Sequence, residues 1–236
     1  WASKITGIPS NTIYDLAKQI SKKRTMITGA WALQRQQYGE QSHWMITVLA
    51  CMLGQIGLPG GGFGLGYSAE NGIGNPVNYH KWPALEQFKN PVSDFIPVAR
   101  VSDMLLEPGK TFTYNGKELK YPDIRLVYWA GGNPFHHQMN LKKLVKAFKQ
   151  PDSIIVNEIW WNSLARHADI VLPATTSLER NDIGIRHWDQ TISPMHKIIE
   201  PIGESKSDYE IFSAISAKLN ITEKYTENRD ENQWLR

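Results

Sequence analysis

The sequence predicts an α/β protein with parallel sheets and flanking helices, an arrangement like that of dinucleotide-binding domains. Beyond residue 121, short apolar runs of strand length alternate with helical patterns, as in βαβ units with right-handed crossovers. A similar apolar run followed by a helical pattern occurs within residues 25–56. We therefore expect parts of two adjacent α/β domains, at residues 1–75 and 121–236, joined by a long irregular connection at residues 76–120.

The composition indicates a folded protein and argues against several classes. Hydrophobic residues make up 41% and charged residues 21% of the 236 residues, which is the balance of a chain with a buried core. The net charge of +3 is small, and lysines and arginines are spread along the chain, so we expect no nucleic-acid partner. The longest apolar stretch, residues 45–53, is far shorter than the roughly 20 residues that cross a bilayer, so we expect no direct membrane insertion.

In the first predicted unit, two amphipathic helices flank a short apolar strand. Its elements are, in order, a helix over residues 11–24, a strand over residues 25–29 and a helix over residues 41–56. Ser10 or Asn11 is expected to cap the first helix, and Gly57 to end the second.

The segment 60–66 is glycine-rich and contains a loose GxGxxG-like spacing. A dinucleotide fingerprint requires a strand before the glycines and a helix after them, and the pattern indicates neither. We therefore expect a loop at this segment.

Cys51 is the only cysteine, which excludes a disulfide or a cysteine-ligated iron–sulfur cluster formed within these residues. It lies in the apolar run 46–53, where no electropositive neighbour is evident. We expect a buried, unreactive thiol and not a nucleophile.

The connection at residues 76–120 is rich in Asn, Pro and Gly and has weak periodicity. Within it, residues 111–117 predict a β-hairpin that turns at Asn115 and Gly116. Connections as long as this one usually carry function.

The second predicted unit begins near residue 121 and has a regular strand and helix rhythm. Its elements are, in order, a strand over residues 124–130, a helix over 141–148, a strand over 153–156, a short helix over 160–167, a strand over 169–172 and a helix over 208–219. The polar tail after residue 221 is expected to be frayed.

Ligands of parallel sheets bind beyond the carboxyl ends of the strands, where the connecting loops converge. Four short segments are predicted at such ends: residues 29–31, 131–134, 157–158 and 173–176. Gly131 and Gly132 permit a ligand to approach the backbone closely, and Asn133 offers an amide for hydrogen bonding, although an ordinary turn explains the same residues. His136 and His137 are unsuited to one metal ion, because adjacent side chains of an extended chain point oppositely.

Four further side chains each have a functional and a structural interpretation. Glu158 would accept hydrogen bonds from a nucleotide ribose, or would be a solvated carboxylate at a helix start. Asp208 would cap the last helix, or accept the paired donors of a guanine edge. Arg35 and Arg180 would bind phosphates through two parallel hydrogen bonds, or form surface ion pairs.

The order of four motifs along the chain resembles the molybdopterin oxidoreductases of the dimethyl sulfoxide reductase family. These motifs are GAWALQRQQYGEQ at residues 29–41, GGNPFHH at 131–137, ARHADIVLPATT at 165–176 and ERND at 179–182. Within that family the likeness is closest to trimethylamine N-oxide, dimethyl sulfoxide and biotin sulfoxide reductases, and it covers nearly the whole chain. Because the chain starts at Trp1 without an initiating Met, we expect an internal piece of a longer catalytic subunit.

The resemblance implies a bis(molybdopterin guanine dinucleotide) molybdenum cofactor and oxygen-atom transfer as the metal cycles between Mo(IV) and Mo(VI). It implies these cofactor contacts: Trp31, Ala32 and Arg35 lining one dinucleotide, Asn133 and His137 near the pterins, Asn157 and Glu158 at a nucleotide sugar, Arg180 at a phosphate or pterin, and Asp208 at the guanine. No catalytic residue and no metal ligand is expected in this chain, since the molybdenum-ligating serine of these reductases lies upstream of the matched part.

The resemblance also implies partners and a location. These are a small S-oxide or N-oxide substrate, an electron donor such as a membrane-anchored c-type cytochrome, and twin-arginine export to the periplasm for anaerobic respiration; biotin sulfoxide reductases are instead cytoplasmic. Two alternatives stay open. One is another branch of the superfamily, such as nitrate reductase or formate dehydrogenase, against which the run at residues 34–41 and the histidine pair argue. The other is a non-catalytic nucleotide-binding scaffold.

Overall fold

The computed structural model describes residues 1–65, 84, 86–185 and 192–236. The chain separates into two compact units, Trp1–Asn75 and Pro76–Arg236. Each unit contains parallel strands with helices around them, which confirms the predicted α/β class. Within the described ranges, no helix combines the length and the hydropathy needed to span a membrane.

The first unit is built around a two-stranded parallel sheet. Its helices and strands are, in chain order, α1 (Ala2–Thr6), α2 (Ser10–Lys22), β1 (Met26–Gly29), α3 (Glu40–Leu53) and β2 (Gly62–Leu65). Helix α3 connects the two strands and packs against both, and Ile27 of β1 lies opposite Phe63 of β2. Helix α2 starts one residue earlier than predicted, with Pro9 at the N-cap position and no capping side chain.

The expectation of a loop at residues 60–66 is wrong for Gly62–Leu65, which form β2. The sequence does not indicate this strand, because glycines that close packing requires leave no alternating pattern of apolar and polar side chains. A Cβ on Gly61 would lie 2.9 Å from the backbone oxygen of Gln55, and one on Gly62 would lie 3.2 Å from the Cα of Ile56. The segment therefore needs glycine to pass the end of α3. Gly66 lies outside the described residues.

The prediction of a buried Cys51 is also wrong, because this side chain is exposed. The fully buried residue of α3 is its neighbour Ala50, at 0% exposure. Successive residues of a helix point in different directions, so an apolar run does not bury every member.

The second unit has a three-stranded parallel sheet at its centre. Its elements are, in chain order, α4 (Val101–Leu106), β3 (Thr111–Tyr114), β4 (Lys117–Lys120), β5 (Leu126–Ala130), α5 (Pro134–His137), α6 (Leu141–Ala147), β6 (Ser153–Glu158), β7 (Ile170–Pro173), β8 (Asp182–Gly184), β9 (Ser193–Met195), α7 (Asp208–Lys218), α8 (Thr222–Thr226) and α9 (Glu231–Trp234). The strand order of the central sheet is β5, β6, β7, with Trp129 opposite Val156 and Val156 opposite Val171. The three predicted strands, α6 and α7 are thereby confirmed.

The core of the second unit lies between the sheet and helices α4 and α6. Leu144 and Val156 are fully buried there, and Phe135 stacks edge-on against Phe148 with ring centroids 5.2 Å apart. Leu105 of α4 belongs to the same cluster, so part of the connection expected to be irregular is a packed helix. Residues 76–83 and 85 of that connection lie outside the described ranges.

Two further differences concern the connection and the tail. The hairpin predicted at residues 111–117 is confirmed, since β3 and β4 pair antiparallel around Asn115 and Gly116, both with positive φ. The frayed tail is wrong, because α8 and α9 follow residue 221. Asp230 caps α9, and the Trp234 indole donates a hydrogen bond of 3.0 Å to the Tyr209 hydroxyl. Because Tyr209 lies on α7, this bond holds the C-terminal tail against that helix.

Candidate functional site

The carboxyl ends of β5, β6 and β7 form one edge of the central sheet, and the start of α7 joins this edge. Lys206 connects α7 to the sheet, since its N–H donates to Pro173 at 3.1 Å and its carbonyl accepts from the N–H of Thr175 at 3.0 Å. The turn after β7, which sequence reasoning assigned to this edge, is therefore adjacent to a helix start that lies far along the chain.

The turn after β5 combines a flexible backbone with a fixed amide. Gly131 and Gly132 have φ values of 79° and 70°, and a Cβ on either would meet no atom within 4 Å, so open space borders both. Asn133 caps α5, with Oδ1 accepting from the N–H of Phe135 at 3.0 Å and Nδ2 donating to the Ser163 hydroxyl at 3.2 Å. Among the described residues, one of the two Asn133 amide hydrogens is thus engaged, and the turn can offer the other to a ligand.

Gly131→Ala is expected to lower the free energy of unfolding by about 1–2 kcal/mol, because a side chain is strained in the left-handed region even where space is open. If the molybdenum cofactor that the family resemblance implies lies against this turn, the added methyl will also lower the molybdenum content of the full-length protein. Gly116→Ala is the matched control, since Gly116 has a φ of 73° and a Cβ there would also meet no atom within 4 Å, but it lies in the β3–β4 hairpin. Equal molybdenum content in the two variants would contradict close approach at Gly131.

Asn157 lies within β6, one residue beyond the predicted end of that strand at residue 156, and its side chain is held by protein partners on both sides. It is 6% exposed. Its Oδ1 accepts from the Tyr128 hydroxyl at 2.7 Å, and its Nδ2 donates to Oδ1 of Asp208, also at 2.7 Å. Sequence reasoning missed Tyr128, because a tyrosine inside an apolar strand carries no signal of the polar partner on the next strand.

Glu158 is the last residue of β6 and organises the turn that follows. One carboxylate oxygen accepts from the N–H of Ile159 at 2.9 Å, and the other accepts from Nδ2 of Asn162 at 2.7 Å. Asn162 in turn accepts from the N–H of Ala165 at 3.1 Å. These side chains satisfy backbone donors that a helix would otherwise engage, so the helix predicted at 160–167 is reduced to a 3₁₀ turn at Ala165–His167.

Glu179 and Arg180 follow β7 and both hydrogen-bond to the loop after this strand, Glu179 as an acceptor and Arg180 as a donor. The Arg180 guanidinium donates through Nε to Asp182 at 3.0 Å and through Nη1 to the carbonyl of Thr175 at 2.8 Å. The Glu179 carboxylate, 4% exposed, accepts from the N–H groups of Thr176 and Ile202, each at 2.7 Å. These two backbone hydrogen bonds hold the pKa of Glu179 below its ordinary value.

A polar cavity of about 150 Å³ opens beside Arg180 and Glu179 and is also lined by Thr175 and Ser207. The Thr175 hydroxyl is buried and has no hydrogen-bond partner among the described residues. Buried hydroxyls are normally paired, so this one indicates room for a further polar group at the edge of the sheet.

The Asp208 carboxylate is an exposed acceptor at this edge. The expectation that Asp208 caps the last helix is wrong, because Ser207 is the N-cap of α7 and forms a capping box with Glu210. Asp208 is the first residue of the helix, where a negative charge is favourable. One of its oxygens accepts from Asn157, and its exposed position leaves it able to accept hydrogen bonds from a ligand.

His136 and His137 both lie in α5 and are exposed. Their contacts do not distinguish them, so the greater importance expected for His137 stays a prediction. Among the described residues, no group of three or more His, Cys, Asp or Glu side chains is arranged to hold a metal ion.

In the first unit, the predicted residues share one short element at the carboxyl end of β1. Trp31, Ala32 and Arg35 lie on the 3₁₀ helix Trp31–Arg35 and are all exposed. Gly39, in the same motif, is required by the packing of the chain, because a Cβ there would clash with the carbonyl oxygen of Leu33. The ligand roles of the three exposed residues stay predictions.

Comparison with known proteins gives a consistent result. The family described as molybdopterin oxidoreductase matches residues 10–218. Over its whole length the chain is 48% identical to biotin sulfoxide reductase of Cereibacter sphaeroides, 48% identical to trimethylamine-N-oxide reductase of Haemophilus influenzae and 47% identical to dimethyl sulfoxide/trimethylamine N-oxide reductase of Rhodobacter capsulatus. It spans 32%, 30% and 30% of those three proteins, respectively. The chain therefore belongs to the molybdopterin oxidoreductase family.

Proposed function

We propose that the full-length protein reduces an S-oxide or N-oxide by oxygen-atom transfer, and that this chain supplies part of the protein that holds its molybdenum cofactor. The observation that carries the proposal is the identity of 47–48%, over the entire chain, to three relatives named for such substrates. Membership of the family implies a molybdenum–pterin cofactor. When bound, that group supplies the redox chemistry, and the protein supplies binding, orientation and electrostatics.

The residues at the carboxyl edge of the central sheet have the chemistry that such a cofactor requires. Open space beside Gly131 and Gly132 suits a flat group that approaches the backbone, and the guanidinium of Arg180 carries further N–H donors for a phosphate. The Thr175 hydroxyl, for which the described part of the chain supplies no partner, adds a further donor, and the exposed carboxylate of Asp208 adds an acceptor. Donors for phosphate and an acceptor for a base support a nucleotide form of the cofactor.

We assign that form as bis(molybdopterin guanine dinucleotide), with the contacts that the family resemblance implies. Asn133 and His137 lie toward the pterins, Asn157 and Glu158 toward a nucleotide sugar, Arg180 toward a phosphate or pterin and Asp208 toward the guanine, while Trp31, Ala32 and Arg35 of the first unit line one dinucleotide. The work of these residues is to bind and orient the group; the metal-ligating residue belongs to another part of the full-length protein.

The test uses the purified full-length protein. We expect bound molybdenum, release of two guanine nucleotides per molybdenum on acid hydrolysis, and oxidation of reduced viologen by biotin sulfoxide, dimethyl sulfoxide or trimethylamine N-oxide. The segment of 236 residues alone is expected to be inactive. Molybdenum without guanine nucleotide would overturn the dinucleotide form, and a loaded protein that reduces none of these substrates would overturn the proposed reaction.

The proposal extends to the electron donor and the location. We assign the donor as a membrane-anchored c-type cytochrome and the location as the periplasm, as for the respiratory members that the sequence resembles. Fractionation of the native cells is expected to place the protein in the periplasmic extract. Recovery in the cytoplasmic fraction, as for biotin sulfoxide reductases, would overturn both assignments.

A further inference from the structure

We infer that Tyr128 and Asn157 are positioning residues that orient the Asp208 carboxylate for recognition of a guanine base. The inference rests on the proposed function, because it assumes a guanine nucleotide at the edge of the central sheet. It changes the role of Asn157, whose side chain acts through Asp208 and not by direct contact with the nucleotide sugar.

The three side chains form a continuous hydrogen-bonded chain across three elements. Tyr128 lies on β5, Asn157 on β6 and Asp208 at the first position of α7. The hydroxyl of Tyr128 and the amide of Asn157 are 2.7 Å apart, and the amide and the carboxylate of Asp208 are also 2.7 Å apart. Tyr128 is half-buried and Asn157 is buried, whereas the Asp208 carboxylate at the other end is exposed.

The donors and acceptors in this series of hydrogen bonds allow only one orientation of the Asn157 amide. An ionised carboxylate only accepts hydrogen bonds, so Nδ2 of Asn157 must face Asp208. Oδ1 of Asn157 then faces Tyr128, whose hydroxyl must donate. Burial raises the pKa of the Tyr128 hydroxyl, which keeps it protonated as a donor. A flipped amide would place oxygen against oxygen at Asp208, so Tyr128 and Asp208 together lock Asn157.

A locked amide in turn fixes the carboxylate. Asp208 is held at one oxygen by Asn157, so its rotation about the side chain is restricted and its remaining lone pairs point outward in a defined direction. Guanine presents two adjacent N–H donors, on N1 and on the 2-amino group, which match the two oxygens of one oriented carboxylate. Hypoxanthine lacks the 2-amino group, and adenine lacks the N1 hydrogen.

The test measures base selectivity in the full-length protein prepared without cofactor. Binding of GDP and of IDP, which carries hypoxanthine, is measured by calorimetry for the native protein, Tyr128→Phe, Asn157→Ala and Asp208→Asn. We expect the native protein to prefer GDP and Asp208→Asn to lose the preference. Asn157→Ala should reduce the ratio of GDP affinity to IDP affinity about tenfold, the equivalent of 1.4 kcal/mol. Tyr128→Phe should reduce the same ratio about threefold.

Tyr209→Phe is the matched control, because Tyr209 lies on the same helix as Asp208 but donates its hydroxyl to the carbonyl of Arg229 at 2.6 Å. It should keep the native ratio. Tyr128→Phe retains the ring, so it carries the test if Asn157→Ala does not fold. A native protein without GDP preference would overturn the guanine form of the cofactor. A native preference that Asp208→Asn removes and that folded Tyr128→Phe and Asn157→Ala leave unchanged would overturn this inference alone.

Discussion

Arg180→Lys is expected to lower the molybdenum content of the full-length protein by about tenfold or more, since hydrogen bonds between charged groups contribute roughly 1.5–3 kcal/mol each. The guanidinium already donates to Thr175 and Asp182, which fixes its plane beside the polar cavity that Arg180 helps to line. Lysine keeps the positive charge but cannot make these contacts and bind a phosphate at the same time. Metal analysis of the purified protein measures the effect.

Arg125→Lys is the control for this substitution. Arg125 precedes β5, at the amino edge of the same sheet, and pairs with Asp152 at an exposed position. Exposed pairs of this kind contribute little to stability, so the control should keep its molybdenum. If Arg180→Lys also keeps its molybdenum while remaining folded, then Arg180 does not bind the cofactor, and its role is limited to joining Thr175 and Asp182.

The central sheet could be predicted because its information is local. The strands β5, β6 and β7 are short apolar runs between turn residues, and their parallel direction follows from the crossover segments that separate them in the sequence. The second strand of the first unit could not be predicted this way. Gly62–Leu65 pairs with a strand 36 residues earlier, and its first glycine reflects the close passage of Gln55 and Ile56 just after α3, which only the folded chain reveals.

The residues of the candidate site differ in the same respect: some could be predicted from local sequence, and others depend on partners far along the chain. Asn133 and Arg180 could be proposed from motifs, because the type of residue and the place in the turn indicate a ligand contact. Tyr128 could not, since its function depends on a partner on the neighbouring strand. Glu179 stands beside Arg180 in a motif that was recognised, yet its bond to Ile202, 23 residues away, has no sequence signal. Long-range polar pairs of this kind are decided by the fold.

Glu179→Gln is expected to lower the melting temperature of the protein by several degrees at neutral pH. The carboxylate accepts from the N–H of Thr176 with one oxygen and from that of Ile202 with the other. A glutamine has one acceptor oxygen, so its NH₂ group would face the second N–H and leave that backbone donor unpaired beside the buried side chain. The loop after β7 and the segment before α7 would then lose the side chain that joins them.

The pH dependence distinguishes this explanation from a general loss of packing. Because the folded protein depresses the pKa of Glu179, the stability it contributes is fully present above about pH 4.3, the ordinary pKa of glutamate, and is lost as the pH falls through the lower folded value. The difference in melting temperature between the native protein and Glu179→Gln should therefore be constant at higher pH and shrink in acid. Glu200→Gln is the control, since Glu200 is exposed and pairs only with Lys197 among the described residues; it should change little at any pH. A difference for Glu179→Gln that persists unchanged to low pH would mean that the lost shape, and not the lost charge, weakens this loop.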